Sequence, residues 1–299
     1  PWLGPMLVLR FMTGFFLAGI YPVGMKIASS WFDRDLGRAL GFLVGAQVLG
    51  TAVSHLFGHG LDWKAVLLSV SVLSAAGGIL MYALVPDGPR LLPGARFDPR
   101  ALAAIFRRPD FRASSFGYFG HMWELYALWA FLPVYIAAYL GTEASRSVTS
   151  LWCFAIIGIG ALGCVLGGVV SLRRGSAPVA AVCLAVSGLC CLLSPLAFSL
   201  PQWAMLAFLL VWGAAVAGDS PQFSALNAHF APTQLVGSAL TIVNCVGFAI
   251  TIASIQLLQG LLPAVGAQLL FLVLVPGPVF GLLALSRLIH SSTTKRDTT

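Results

Sequence analysis

Long apolar stretches alternate with short polar segments along this chain. A helix needs about 20 apolar residues to cross the roughly 30 Å of hydrocarbon in a bilayer, and about nine stretches reach that length. The short segments of alternating polarity that mark a transmembrane β-barrel are not seen in the pattern. The pattern therefore predicts an all-α polytopic membrane protein. The predicted spans are residues 3–31, 37–58, 63–85, 113–140, 148–172, 177–199, 202–230, 235–260 and 266–289.

Composition agrees with a location in the membrane. The chain is 59% hydrophobic and 9% charged, and its mean hydropathy is +0.92. Charged residues make up roughly a quarter of an ordinary soluble domain. A soluble domain is therefore excluded.

The placement of charge predicts the orientation in the membrane. A net charge of +7 would by itself suit a nucleic-acid partner. If residues 86–112 are cytoplasmic and the spans alternate, however, all of the 17 lysines and arginines except Arg10, Lys64 and Arg146 fall on the cytoplasmic side. Such an excess is the rule for cytoplasmic loops of membrane proteins. We therefore predict a multi-pass inner-membrane protein with a cytoplasmic C-terminus and no nucleic-acid partner.

Residues 86–112 form the longest polar connection and divide the helices into two groups. We expect a partial N-terminal bundle of three helices in residues 1–85, a six-helix bundle in 113–289, and a disordered cytoplasmic tail in 290–299. The segment 98–109 within the connection is either an interfacial helix on the inner leaflet or part of a solvated linker.

Several strings resemble the major facilitator superfamily in their order along the chain. The string RFMTGFFLAG, which begins at Arg10, is similar to the helix-four motif of the family. GRALGFLVGAQVLG then resembles helix five, and the DWK of residues 62–64 stands where the family often opens helix six. The glycines of the fifth span and the pair Arg173-Arg174 resemble the end of helix eight and the basic loop after it.

This resemblance implies a fold of twelve spans in two six-helix halves, with both termini in the cytoplasm. The chain would supply helices four to twelve, so that residue 1 would lie near the outer face and helices one to three would be absent. The strings GYFGHMWELYALW and GDSPQFSAL also resemble a particular bacterial branch of the family. The implied location is the bacterial inner membrane, and the implied activity is transport.

His121 and Glu124 are polar residues near the middle of the fourth span. Residues three apart share a helical face, so the two side chains can meet. Ionisable residues inside a membrane are costly and mark ion or substrate pathways. The imidazole and the carboxyl group could take up and release a proton or bind a polar group, with Tyr126 as a wall of the cavity. A pair that only satisfies helix packing is the alternative.

Asp219 and Gln222 lie in the seventh span, on either side of Pro221. Proline removes an amide donor, so we expect a kink in the helix there. In membranes such breaks are tolerated where they line a cavity or contact neighbouring helices. We place Asp219 toward the cytoplasmic end, where a gate or a helix cap competes with substrate binding as its role.

Three further polar residues are candidates for the pathway. Arg10 is the only deep charge of the first span and requires a partner, either Glu124 or a group in the absent helices. Tyr21 is followed by Pro22 and is expected at a bend. Asn244 lies near mid-depth in the eighth span, where hydrogen bonding between helices is the alternative role.

These features predict a secondary active transporter that moves a small polar or anionic solute by alternating access, in symport with protons. There is no phosphate-binding loop, zinc motif or cysteine pair with metal-type spacing, so we expect no cofactor, no metal and no enzymatic activity. The expected partners are the solute, protons and lipid. The alternatives are a membrane-embedded enzyme or non-transporting scaffold of the same fold, or a fragment that does not transport.

Overall fold

A computed structural model describes residues 3–32, 35–56, 62–90, 104–141 and 145–296. Two short 3₁₀ helices, Thr233–Leu235 and Phe271–Leu274, adjoin longer α-helices. The α-helices, in chain order, are α1 (Leu3–Ala18), α2 (Tyr21–Trp31), α3 (Leu36–Val53), α4 (Trp63–Leu84), α5 (Pro109–Leu140), α6 (Arg146–Arg174), α7 (Ser176–Ala197), α8 (Gln202–Gly218), α9 (Ser220–Phe230), α10 (Val236–Leu270) and α11 (Pro276–Arg296).

Eight apolar helical stretches in the described residues are long enough to cross a membrane. The last covers Thr233–Ile289, and its 57 residues would extend about 85 Å if they formed one helix. That length is nearly three times the hydrocarbon thickness. The backbone breaks at Gly266, where φ is 72° and ψ is 165°, a conformation that favours glycine. The break divides the stretch into two spans, so the predicted all-α fold with about nine spans is confirmed.

Both predicted helix interruptions are present. One lies beside Pro22, between α1 and α2, and the other lies beside Pro221, between α8 and α9. Pro221 cannot donate a backbone hydrogen bond to the carbonyl oxygen of Ala217. The thiol of Cys164 on α6 donates to that oxygen instead, at 3.1 Å. A neighbouring helix thus satisfies the group that proline leaves free, as a break inside a membrane requires.

The N-terminal and C-terminal helices pack closely along α3 and α6. A β carbon at Gly41 would lie 2.7 Å from the carbonyl oxygen of Cys164. One at Gly168 would lie 2.8 Å from the carbonyl oxygen of Gly37. Small residues permit this close backbone contact, which is how helices associate in lipid. We call the contact of Gly37 and Gly41 with Cys164 and Gly168 the glycine seam.

Most basic residues of the described chain gather at one end of the bundle, which we call the basic end. It is marked by Lys26, Arg38, Arg112, Arg174 and Arg287. Lys64 and Arg146 lie at the starts of α4 and α6, at the opposite end. The most apolar windows of α1 and α4 have none of their residues buried. These two helices therefore present apolar faces to lipid or to other helices.

The connection between the two groups of helices is described only at its ends. Nε1 of Trp31, the last residue of α2, donates to the carbonyl oxygen of Pro86 at 3.1 Å, so the connection begins packed on α2. The predicted interfacial helix over 98–109 lies largely outside the described residues, although Ile105 is buried. At the C-terminus, α11 continues to Arg296, past the predicted start of the tail at residue 290, because each added helical residue gains a backbone hydrogen bond.

Candidate functional site

Three ionisable side chains meet inside the bundle formed by α5 to α11. His121 and Glu124 lie one turn apart on α5, and Asp219 lies at the junction of α8 and α9. All three side chains are completely buried, and one potential ligand atom of each lies within 4.8 Å of the others. We call this group the acid–histidine cluster.

Two residues that are adjacent in the sequence hold the two nitrogen atoms of the His121 ring. Nδ1 lies 2.9 Å from Oδ1 of Asp219, and Nε2 lies 2.8 Å from Oγ of Ser220. The contact between Nδ1 and Oδ1 has the distance of an ion pair without the geometry of a hydrogen bond, so it adds most when the ring is protonated. Whether Nε2 accepts from or donates to the Ser220 hydroxyl depends on the tautomer of the ring. The two contacts hold the ring in one orientation.

Glu124 faces a different helix from Asp219. Its Oε2 accepts a hydrogen bond from the thiol of Cys191 on α7 at 3.4 Å. Ser187 is a further polar neighbour, and its hydroxyl oxygen accepts from Nε1 of Trp212 at 3.1 Å. Oε1 of Glu124 makes no hydrogen bond to any of the described residues. The same holds for both carboxyl oxygens of Asp219, so three carboxyl oxygens of the cluster retain the capacity to accept or carry a proton.

A small cavity of about 20 Å³, with room for about one water molecule, lies between the N-terminal and C-terminal helices. Its wall includes Tyr21 and Gln47 from α2 and α3, and Tyr118, Tyr126, Trp129 and Phe248 from α5 and α10. Ser220 also lines the cavity. This one residue therefore touches both the cavity and the acid–histidine cluster.

Apolar side chains from both groups of helices close the bundle between the cavity and the basic end. They come from α2, α3, α9 and α10, and each lies within about 10 Å of the basic end along its helix. We call them the apolar plug, which consists of Met25, Leu40, Ala225, Ala228 and Leu240. Met25 and Leu40 are 1% exposed, so the helices are sealed together at this level.

The other residues of the predicted pathway lie around the cavity and the seam. Tyr21 and Tyr126 line the cavity. Oδ1 of Asn244 accepts a hydrogen bond from the hydroxyl group of Tyr118 at 2.8 Å, so Asn244 supports the wall from behind. Gln222 is buried against the glycine seam, and its terminal amide atoms make no hydrogen bond to the described residues.

The structure bears on two of the charged candidates. Arg10 is exposed on α1 and does not line the cavity, so it does not meet Glu124, which is buried beside Cys191; the alternative expectation, a partner outside these helices, stays a prediction. For Asp219, expected toward the cytoplasmic end, a gate or helix cap was weighed against substrate binding. Its side chain makes no capping hydrogen bond to α9 and instead contacts His121, which we had placed near the midplane.

The acid–histidine cluster has the residue types of a metal site. Its three potential ligand atoms lie within 4.8 Å of one another. Nδ1 of His121, Oε1 of Glu124 and both carboxyl oxygens of Asp219 make no hydrogen bond to the described residues. These atoms could hold a cation or a proton. The expectation that the site takes no metal stays a prediction.

Three residues of the site were not among the predicted pathway residues. Ser220 follows Asp219 directly, and Tyr118 lies one turn before His121, so both could have been found by asking which neighbours share a helical face. Gln47 is exposed to the cavity from a glycine-rich span. Gln47 could have been predicted from the presence of a single side-chain amide in such an apolar helix.

Comparison with known proteins gives two matches. The family model described as Major Facilitator Superfamily matches residues 1–255. The chain is also 30% identical over 96 residues to the uncharacterized transporter C757.13 of Schizosaccharomyces pombe. That match covers 29% of this chain and 18% of the yeast protein, well under two thirds of the relative's length.

Proposed function

This chain belongs to the Major Facilitator Superfamily and is a multi-pass membrane protein of transporter type. On this basis we propose that it is a secondary active transporter. It would carry a small polar solute by alternating access, in symport with protons. Its location would be the bacterial inner membrane, with the basic end and the C-terminus in the cytoplasm.

The observation that carries this proposal is the pairing of a cavity with a buried cluster of titratable groups. Helices from both sides of the 86–112 connection line the cavity, as a solute site between two moving bundles requires. Ser220 in its wall is hydrogen-bonded to His121, which contacts Asp219. Solute and proton would therefore bind at neighbouring positions that share one residue.

The apolar plug supports alternating access. It blocks the route from the cavity to the basic end, while Gln47 and Phe248 in the cavity wall are exposed. If the basic end is cytoplasmic, this conformation receives solute from the outer side. Release into the cytoplasm would require α2 and α3 to separate from α9 and α10 at the plug.

The cavity wall favours a neutral or cationic solute over an anionic one. No lysine or arginine is among the described residues that line it, whereas the aromatic rings of Tyr118 and Trp129 are. Aromatic faces attract cations, and Gln47 and Ser220 add hydrogen-bonding groups. Arg10 is exposed on α1 and is not among the residues that line the cavity. We therefore narrow the proposed solute to a small polar molecule without net negative charge.

Proton movement in proteoliposomes tests the proposal. Vesicles would contain the dye pyranine, and sugars, neutral amino acids, quaternary ammonium ions and dicarboxylates would be added in turn. A transported solute should change the internal pH with wild-type protein and not with Glu124→Gln. Asp110→Asn, which alters an exposed carboxylate paired with Arg287, is the matched control and should behave as wild type. Coupling is wrong if a solute enters the vesicles and the internal pH does not respond.

A membrane-embedded hydrolase is the second candidate, because Ser220, His121 and Asp219 have the hydrogen-bonding order of a serine nucleophile, its base and the acid that orients the base. A fluorophosphonate probe distinguishes the two functions. It would label Ser220 covalently in a hydrolase and would leave a transporter unmodified.

A further inference from the structure

Ser220 is the described cavity residue whose side chain lies within hydrogen-bond distance of His121. The ring of Tyr118 also lines the cavity and lies 5.8 Å from the imidazole, centroid to centroid, but its hydroxyl group is bonded to Asn244. Ser220 is 8% exposed, whereas the three residues of the acid–histidine cluster are completely buried. Its Oγ lies 2.8 Å from Nε2 of His121. The cluster therefore meets the cavity at this hydroxyl group.

The other hydroxyl groups near the cavity are directed elsewhere. Tyr118 donates to Asn244 at 2.8 Å, and the hydroxyl oxygen of Tyr21 lies 3.4 Å from Oγ of Ser224. Ser224 itself donates to the backbone carbonyl oxygen of Ser220, not to its side chain. These groups form contacts around the cluster without leading into it.

We propose that Ser220 is the proton entry point of the acid–histidine cluster, and that it relays protons between the cavity and His121. This inference rests on the proposed proton-coupled transport and names the residue through which the proton passes. Ser220 is a positioning and relay residue, while Asp219 and Glu124 are the groups that hold the proton.

The relay conserves atoms and charge at each step. A proton from the cavity binds Oγ of Ser220 as the hydroxyl proton moves to Nε2 of His121. The imidazolium formed is stabilised by the Asp219 carboxylate 2.9 Å from Nδ1, and the Nδ1 proton then moves to Oδ1 of Asp219. The net change is one proton moved from the cavity to Asp219. The ring is then protonated on Nε2 and not on Nδ1. It regains its first tautomer when the transfers run in reverse, from Asp219 to Nδ1 and from Nε2 to Oγ of Ser220, which returns one proton to the cavity.

Several titratable groups surround this path and have to be considered with it. Glu124 and Tyr118 face it from α5, Cys191 and Cys183 from α7, and Cys164 from α6. A carboxyl oxygen of Glu124 lies within 4.8 Å of one of Asp219. The three thiols are buried or half-buried and carry no charge in the relay.

Infrared difference spectroscopy on the reconstituted full chain tests the relay without a solute. A drop in pH should produce a carboxylic acid C=O band, assigned by its loss in Asp219→Asn or Glu124→Gln. We expect Ser220→Ala to slow the appearance of the band by at least about tenfold, because a positioned proton donor is removed. Ser220→Thr keeps a hydroxyl group and should restore the rate. Ser224→Ala removes a hydroxyl one turn away and should leave the rate unchanged.

The outcomes separate the two proposals. If wild type shows no band that depends on Asp219 or Glu124, proton coupling through the cluster is wrong, and the relay with it. If the band appears in Ser220→Ala at the wild-type rate, the relay is wrong and proton-coupled transport stands. Equal slowing in Ser220→Ala and Ser224→Ala would also overturn the relay, because the effect would then not belong to the hydroxyl group that contacts His121. Thermal unfolding of each variant establishes that it is folded.

Discussion

Nδ1 of His121 lies 2.9 Å from Oδ1 of Asp219, and both side chains are completely buried. The two residues come from different helices, and the interruption beside Pro221 places Asp219 at the junction that faces α5. A buried charge is tolerated when it has a hydrogen-bonded partner. The contact therefore connects the break between α8 and α9 with the position of the His121 ring on α5.

Substitutions at Asp219 should separate the charge from the hydrogen bond. In Asp219→Asn the amide oxygen can still accept from Nδ1, so we expect little change in stability and loss of proton-coupled uptake. In Asp219→Ala the buried Nδ1 loses the carboxyl group that lies 2.9 Å from it, which should cost about 1–3 kcal/mol of unfolding free energy. Thermal unfolding in detergent and the pyranine assay measure the two effects. Equal stability of the Asn and Ala variants would show that the hydrogen bond contributes nothing.

The glycine seam should be sensitive to a single methyl group. A β carbon at Gly41 would lie 2.7 Å from the backbone oxygen of Cys164, which cannot rotate away. We expect Gly41→Ala to destabilise the protein by about 1–3 kcal/mol through overpacking. Gly50→Ala is the control on the same helix, because nothing lies within 4 Å of its β position. It should be neutral or stabilising by up to about 1 kcal/mol. A matching loss of stability in both variants would contradict the seam.

A single substitution should allow a disulfide bond to form between α3 and α6. The β position of Gly45 lies 3.6 Å from the β carbon of Cys164, within the range that disulfides adopt. We expect mild oxidation of Gly45→Cys to form this bond and to stop transport until a reductant is added. A mobility shift on non-reducing gels after thiol alkylation measures the bond.

Two controls belong to the disulfide experiment. Gly45→Ala measures the effect of added bulk, since the β position also lies 3.0 Å from the carbonyl oxygen of Ala161. Gly45→Cys combined with Cys164→Ser should form no bond. Transport that continues at full rate in the oxidised protein would mean that α3 and α6 do not separate during the cycle.

Reporter fusions test the proposed orientation. Green fluorescent protein attached after Thr299 should fluoresce in bacteria, because it folds in the cytoplasm. Alkaline phosphatase attached at the same position should be inactive, and a fusion after Leu200, which follows α7 at the end opposite the basic one, should be active. The opposite pattern would reverse the membrane sides assigned to the basic end and the cavity.

The spans could be predicted from the sequence because the length of an apolar helix is a local property. Proline is equally local, so the interruptions beside Pro22 and Pro221 were predicted correctly. The break at Gly266 falls at the boundary expected between the last two spans. None of these features depends on how one helix packs against another.

The candidate site could be predicted only in part, because it depends on the packing of separate helices. The spacing of His121 and Glu124 predicted that they share a face, and their ligand atoms do lie close together. The contact of Asp219 with His121 could not be derived from the sequence. A rise of about 1.5 Å per residue gives the depth of a residue in the membrane only if its helix is straight and perpendicular to the bilayer. The direction of Arg10 could not be derived for a related reason, because apolar residues surround it on α1.

The Ser220 hydroxyl group carries one hydrogen atom, and in the proposed relay His121 receives it through the contact of 2.8 Å. A solute that accepts a hydrogen bond from Oγ would have to take that hydrogen from the histidine. The Oγ atom of Ser220 could then bond either to the solute or to His121, but not to both. Through this competition, binding of a solute would change the hydrogen bonding of His121 and thereby affect the buried carboxyl groups beside it. No movement of the helices would be required.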